Sequence, residues 1–222
     1  MSQAYFLTGT DTEIGKTFIT CALLLRARQL GLKAAGIKPV AAGTDAAGKN
    51  DDVERIRAAS NVVLPADVIN PYCFAPAIAP HLAAAEAGVA IDFARIAAAC
   101  ASARRQADLV IVEGVGGFCV PLGVDRDSAD LAVAVGLPVI LVVGLRLGCL
   151  NHALLTAEAI AARGLTLAGW VANRIDPLMA RPEDNIDALR ERLGAPLLGS
   201  VPRSAGGQPA DAAGCLDLPP GI

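Results

Sequence analysis

Short runs of almost unbroken apolar residues punctuate the chain at Ala4–Thr8, Ala34–Val40, Leu109–Val112, Val139–Val143, Ala168–Ala172 and Leu197–Val201. A strand with one face in water alternates apolar with polar residues. Continuous apolarity instead suits strands buried on both faces, as in a parallel sheet covered by helices. Ala-rich stretches between the runs predict helices over Lys16–Leu30, Asp51–Ala59, Asp92–Ala107, Ser128–Val135, Asn151–Ala162 and Glu183–Leu193, with helix-stopping glycines at Gly31, Gly136, Gly164 and Gly194. This alternation predicts an α/β fold with right-handed crossovers, a mainly parallel sheet and helices on both faces. With no repeat or low-complexity linker, residues 1–222 read as a single domain with a loop-rich tail after about residue 206. At 54% hydrophobic residues the chain can fill a sizeable core, which excludes disorder.

Charge narrows the partners. Lys and Arg number 19 against 22 acidic residues, for a formal net charge of −3, and no basic block exceeds Arg104-Arg105. A duplex or an anionic membrane needs a clustered positive face, so neither nucleic acid nor membrane is an expected partner. Asp11, Glu13 and Lys16 interrupt the N-terminus where a secretory signal would be apolar. The longest uncharged apolar run, Leu131–Leu145, is too short for a membrane helix. The six cysteines, at 21, 73, 100, 119, 149 and 215, form no C-x-x-C pair and read as reduced, mostly buried thiols. The expected compartment is the cytoplasm.

In open parallel sheets ligands bind at the carboxyl ends of the strands, and motifs gather there. After the first run comes Gly9-Thr10-Asp11-Thr12-Glu13-Ile14-Gly15-Lys16-Thr17, which leads into a helix. Two glycines, a Lys and a helix N-terminus make a phosphate cradle, and the Thr17 hydroxyl would reach Mg²⁺. The loop holds five residues between its glycines rather than the usual four. It nonetheless points to a P-loop NTPase-like fold, with Glu13, Ile14, Gly15, Lys16, Thr17 and Phe18 expected around a nucleotide.

A second apolar strand ends in Glu113, followed by Gly114, Val115, Gly116 and Gly117. A carboxylate there can hold Mg²⁺, and the glycines admit close backbone approach to phosphate. Lys38, closing the Ala34–Val40 run, is either a snorkelling side chain or a second cation for a transferring phosphoryl group. Asp51 and Asp52 are either helix-capping carboxylates or, for Asp52, a further Mg²⁺ ligand. In Gly148-Cys149-Leu150-Asn151-His152, Asn151 is placed to cap a helix whose first turn also suits a carboxylate, while Cys149, His152 and His81 read as packing residues. Asn173 ends a strand and is either a residue for leaving it or a contact for an adenine edge, since its amide both donates and accepts.

Taken together, G-T-D-T-E-x-G-K-T at 9–17, G-x-K-P-V at 36–40, V-E-G-x-G-G at 112–117, L-G-C-x-N-H-A at 147–153 and A-G-W-V-A-N at 168–173 resemble the dethiobiotin synthetases. Asn70-Pro71-Tyr72 and Leu198–Pro202 also fit, and the lengthened phosphate loop is itself a feature of that family. The resemblance implies a homodimeric, ATP- and Mg²⁺-dependent ligase. Its substrates would be 7,8-diaminononanoate and bicarbonate-derived CO₂, joined and ring-closed through a carbamate and a carbamic–phosphoric anhydride. It further implies Thr17, Asp52 and Glu113 as metal positions, with Lys16, Lys38 and Thr12 at the reacting groups. Glu13 would lie in the loop that faces carbamate and phosphate. Asn173 would contact adenine, with Pro202 closing over the base. The turn Gly148, Cys149, Leu150 and Asn151 would hold the substrate carboxylate of the neighbouring subunit.

This chain departs from that pattern in having Ala42 where a Ser is expected, Asn185 where a Tyr is expected, and no acidic residue over 203–207. Two rival classes fit less well. A chromosome-partition switch ATPase usually carries a second Lys inside the phosphate loop, where this chain has Asp11, Thr12 and Glu13. A cobyrinate-type amidotransferase needs a glutaminase domain for which 222 residues leave no room.

Overall fold

A computed structural model describes residues 2–203 and 207–221. In chain order the elements begin with β1 (Gln3–Gly9), α1 (Lys16–Gln29), β2 (Ala34–Ile37), β3 (Val40–Ala42), α2 (Asp51–Ala59), α3 (Ala66–Ile69), β4 (Tyr72–Phe74), α4 (Pro80–Glu86) and α5 (Phe93–Arg104). They continue with β5 (Leu109–Glu113), α6 (Ser128–Val135), β6 (Val139–Leu145), α7 (Cys149–Ala162), β7 (Leu167–Arg174), α8 (Pro182–Arg192), β8 (Leu197–Val201) and α9 (Pro209–Ala213). The main sheet has the order β2-β5-β1-β6-β7-β8, and every pairing in it is parallel.

The alternation of side chains explains why the strands read as apolar on both faces. Ala4 and Phe6 of β1, with Val110 and Val112 of β5, join a core on one side that includes Phe93 and Ile96 of α5. Tyr5 and Leu7, with Leu109 and Ile111, join another that includes Ile19, Leu23 and Leu24 of α1. Leu141 and Val143 of β6 and Trp170 of β7 share a third core with Ile186 and Leu189 of α8. Each Val, Leu, Ile or Phe among them contributes about 1.5–3 kcal/mol when fully buried.

The expected strand Ala34–Val40 is interrupted. Its first part is β2, buried throughout, but beyond Lys38 the chain leaves the main sheet. Pro39 has no N–H for a ladder bond, and Val40–Ala42 pairs instead with β4. The Lys38 N–H donates to the Ile69 carbonyl at 2.8 Å, and the Asn70 amide donates to the Lys38 carbonyl at 2.6 Å, so the α3 turn clamps this exit.

Other boundaries also shift. Asn50, not Asp51 or Asp52, caps α2, its side chain accepting from the Val53 N–H. Asn151 caps nothing: α7 begins at Cys149 behind Gly148, whose left-handed φ of 94° suits glycine. Within the expected loop-rich tail, Pro209–Ala213 form α9, at whose start the Asp211 carboxylate accepts from the Gln208 N–H, and bury Ala212 and Ala213. All six cysteines are free, but only Cys21, Cys100 and Cys149 are buried. Cys73 points outward from a three-residue edge strand, and Cys119 and Cys215 lie in loops. No helix of the described residues is long and apolar enough to cross a membrane.

Gly36 shows how tightly the sheet is covered. A Cβ there would lie 2.3 Å from Ile56 and 2.9 Å from Leu24. Gly36→Ala should therefore cost about 1–3 kcal/mol through overpacking, measured by chemical denaturation; an unchanged midpoint would mean that α1 and α2 yield freely.

Candidate functional site

Strand register brings the charged strand ends together. β1 lies between β5 and β6, Leu7 is level with Glu113, and Ile37 is level with Val112, so Lys38 arrives beside Glu113. The Lys38 Nζ lies 2.6 Å from Glu113 Oε1, 3.3 Å from the Gly114 carbonyl and 3.5 Å from Asp52 Oδ2. The Thr17 hydroxyl donates to the same Glu113 Oε1 at 2.7 Å. Glu113 is wholly buried and Lys38 nearly so, whereas the Asp52 side chain is 43% exposed. Burial works against the Lys38 charge, but the Glu113 and Asp52 carboxylates outweigh it and hold the ammonium above its ordinary value. The snorkelling reading of Lys38 fails, because its head turns inward to carboxylates.

The phosphate loop borders this cluster. Gly15, at φ 84°, precedes α1 without any side-chain cap, and the first turn holds no acidic residue. The leading N–H groups of that turn thus face an anion unopposed. Lys16 Nζ donates to the Asp11 carbonyl at 2.7 Å across the loop. Burial, then the nearby Lys38 charge, pull the Lys16 pKa down to about 8, against opposition from Glu113, Asp52 and Asp11. The glycine segment after Glu113 folds back onto the loop: a Cβ on Gly116 would lie 3.5 Å from Thr12 Oγ1, and one on Gly117 3.7 Å from the Gly9 carbonyl. Lys16, Thr17, Lys38, Asp52, Glu113, Gly114, Gly116 and Thr12 therefore meet. Val115 instead packs against the core.

A cavity of about 280 Å³ adjoins the other side of the loop, lined by Glu13, Gly15, Phe18, Asn173, Arg174, Ile175, Pro202 and Arg203. The sequence-derived nucleotide residues Glu13, Gly15, Phe18, Asn173 and Pro202 share this one space. Ile14 does not line it, because its side chain is buried against Gly9 and Gly144. Most of the 203–207 departure lies outside the described residues.

Gly148, Leu150 and Asn151 are not drawn into the cluster. Gly148 and Asn151 are exposed, α7 starts there with no side-chain cap and no acid in its first turn, and no hydrogen bond joins the turn to Lys16 or Lys38 among the described residues. The nearest link is Arg146, two residues earlier, which pairs with Asp11 of the phosphate loop at 2.5 Å. Cys149 is buried with its Sγ 4.0 Å from Asn185 Oδ1, so Asn185 packs against the same turn. Ala42 is half-buried and offers no hydroxyl, and its carbonyl and that of Gly43 accept from the capping Asn50. Sequence reading missed Asp11, Arg146 and Asn50, whose roles arise from contacts made by folding.

The donor set fits a hard cation. Glu113 Oε2 is buried and accepts no hydrogen bond among the described residues. Two carboxylates and a hydroxyl, completed by water and phosphate oxygens, are the ligands Mg²⁺ takes.

Fold and site together define a P-loop nucleotide-binding protein. Solved structures agree on the fold: the cell-division ATPase MinD of Pyrococcus furiosus aligns with TM-score 0.57 at 17% identity over 92% of this chain and 84% of that one. A ParA-family ATPase of Chlorobium tepidum aligns with TM-score 0.55 at 15% identity over 91% and 84%. At such identities the likeness concerns the fold alone. A family model described as an AAA domain matches residues 3–209. The ATP-dependent dethiobiotin synthetase BioD of Aromatoleum aromaticum is 63% identical over 98% of both chains, and that of Janthinobacterium sp. 57% over 96% of this chain and 93% of the relative. The chain belongs to the ATP-dependent dethiobiotin synthetase family, which makes it an enzyme of the ligase class rather than a switch ATPase.

The depressed Lys16 pKa gives a signed expectation. At about pH 9 the free protein holds Lys16 largely neutral, and a polyphosphate favours the charged form. ATP binding should therefore take up protons at that pH, and affinity should fall as pH rises through about 8. Calorimetry in buffers of different ionisation enthalpy measures the uptake; none at pH 9 would contradict the Lys16 assignment.

Proposed function

We propose that this enzyme carboxylates and ring-closes 7,8-diaminononanoate with CO₂, at the expense of ATP and with Mg²⁺, to form dethiobiotin. One substrate amine adds to CO₂, giving a carbamate; ATP phosphorylates a carbamate oxygen, giving a carbamic–phosphoric anhydride and ADP. The second amine attacks the carbonyl carbon, the ring closes and phosphate leaves. The observation that carries this reading is the meeting of Lys16, Lys38, Thr17, Asp52 and Glu113 at neighbouring strand ends.

The chemistry needs two anions, a carbamate and a triphosphate, to approach each other. Lys16 binds phosphate oxygens from within the loop, and Lys38 reaches the transferring phosphoryl group and the carbamate from the neighbouring strand end. Thr12 lies against the Gly116 segment, where it faces the carbamate, while the α1 N–H groups orient the phosphate chain. Thr17, Asp52 and Glu113 would hold Mg²⁺; when bound, it supplies further positive charge to the phosphate oxygens. The cavity beside Asn173 and Pro202 takes the adenine.

The exposed Gly148–Asn151 turn, uncapped and free of acids, suits the carboxylate of a substrate lying on a partner subunit, so the working form is a homodimer with shared sites. The compartment is the cytoplasm.

Incubation with diaminononanoate, ATP, Mg²⁺ and carbon-13 bicarbonate should yield a ring product carrying the label, read by mass spectrometry. An unlabelled or absent product would sink the reading. Lys38→Ala should lower turnover by well over tenfold, since one cation at a developing charge is worth about 2.7–4 kcal/mol; a loss below tenfold would leave Lys38 a structural counter-ion. Glu113→Gln should weaken Mg²⁺ dependence more than nucleotide binding, and overlaid Mg²⁺ titrations would contradict it.

A further inference from the structure

We propose that Asn173 is a positioning residue for the phosphate loop, in addition to walling the base cavity. The inference rests on reading Gly9–Thr17 as the phosphate loop. Asn173, next to the end of β7, is buried and donates its carboxamide N–H to the Ile14 carbonyl at 2.7 Å. Ile14 is the middle of three residues with unusual constraints. Glu13 on one side has φ 58° and Gly15 on the other φ 84°, both left-handed. Such a backbone reversal is sparsely populated for a non-glycine residue and persists where neighbours over-determine it.

Here the neighbours can be named. The Ile14 side chain is 1% exposed and wedged between β1 and β6, where a Cβ on Gly9 or on Gly144 would each come within 2.6 Å of it. With the side chain fixed on one side, Asn173 fixes the carbonyl on the other. The approach is so close that a Cβ on Gly15 would lie 2.4 Å from Asn173 Nδ2. Asn173 therefore decides which way the Ile14–Gly15 peptide points, and with it the aim of the N–H groups that follow at Gly15, Lys16 and Thr17.

A carboxamide has two N–H groups and one oxygen. One N–H is spent on Ile14, and the second, with Oδ1, is left for a base in the adjoining cavity, so the two roles do not compete. The same residue thus ties the base-binding wall to the phosphate-binding backbone.

Tripolyphosphate, which has no base, separates the two roles. Its affinity and that of ATP are measured by calorimetry for the wild type, Asn173→Ala and Asn173→Asp, at a temperature where each variant is folded by circular dichroism. Loss of the clamp should weaken tripolyphosphate roughly threefold to tenfold in Asn173→Ala, the equivalent of one buried hydrogen bond. It should weaken it more in Asn173→Asp, which sets an oxygen against the Ile14 carbonyl. If the aspartate variant does not fold, the alanine variant alone decides. Weakened ATP with unchanged tripolyphosphate affinity would make Asn173 a base contact only and overturn the proposal. So would lowered stability with both affinities intact, which is what a merely structural residue would give, or a wild type that binds ATP but not tripolyphosphate. A wild type that binds neither ligand would overturn the phosphate-loop reading, and the proposal with it.

Discussion

Glu113 is a carboxylate that no solvent reaches, and the architecture of the site follows from the need to satisfy it. An uncompensated buried charge costs several kcal/mol, and removing one partner of a buried pair costs about 3–5 kcal/mol. Lys38 and the Thr17 hydroxyl both converge on one of its oxygens. Those partners come from the end of β2 and the first turn of α1, so one electrostatic requirement locks three elements in register. The other oxygen remains without a protein partner among the described residues, and a bound cation would complete the set there. In the proposed reaction the same pair also serves the chemistry.

The helices α1 and α7 start without side-chain caps. Both α1 and α7 begin behind a left-handed glycine, and neither has an acid in its first turn. Uncapped N–H groups are a cost to an isolated helix and an asset to one that receives an anion. By contrast, α2, α5 and α6 are capped by Asn50, Asp92 and Asp127.

Much of this was legible in the amino-acid sequence, because its signals are local. The apolar runs mark the main-sheet strands, since a strand covered on both faces has few polar residues to show. The phosphate loop and Glu113 stand where a strand ends in glycine or charge. Reading failed where short elements or distant contacts decide. Pro39 signals the break in the Ala34–Val40 run, but no pattern in three residues could show that Val40–Ala42 pairs with Tyr72–Phe74. Asn151 looks like a cap because its type favours the position, yet the φ of Gly148 starts the helix two residues before it. The Asn173–Ile14 bond joins residues 159 apart, and the Arg146–Asp11 pair residues 135 apart. Neither pairing exists until β6 and β7 are laid beside β1.

The central claim is that the Lys16–Lys38–Glu113 cluster brings ATP to a carbamate oxygen, and a single turnover with freshly dissolved oxygen-18 bicarbonate in ordinary water tests it most directly. If the carbamate oxygen attacks the γ-phosphorus and ring closure then breaks the carbon–oxygen bond, the inorganic phosphate released in the first seconds must carry oxygen-18 from bicarbonate. Phosphate formed with the ring product but free of label would show that ATP is cleaved by water instead, and would contradict the claim.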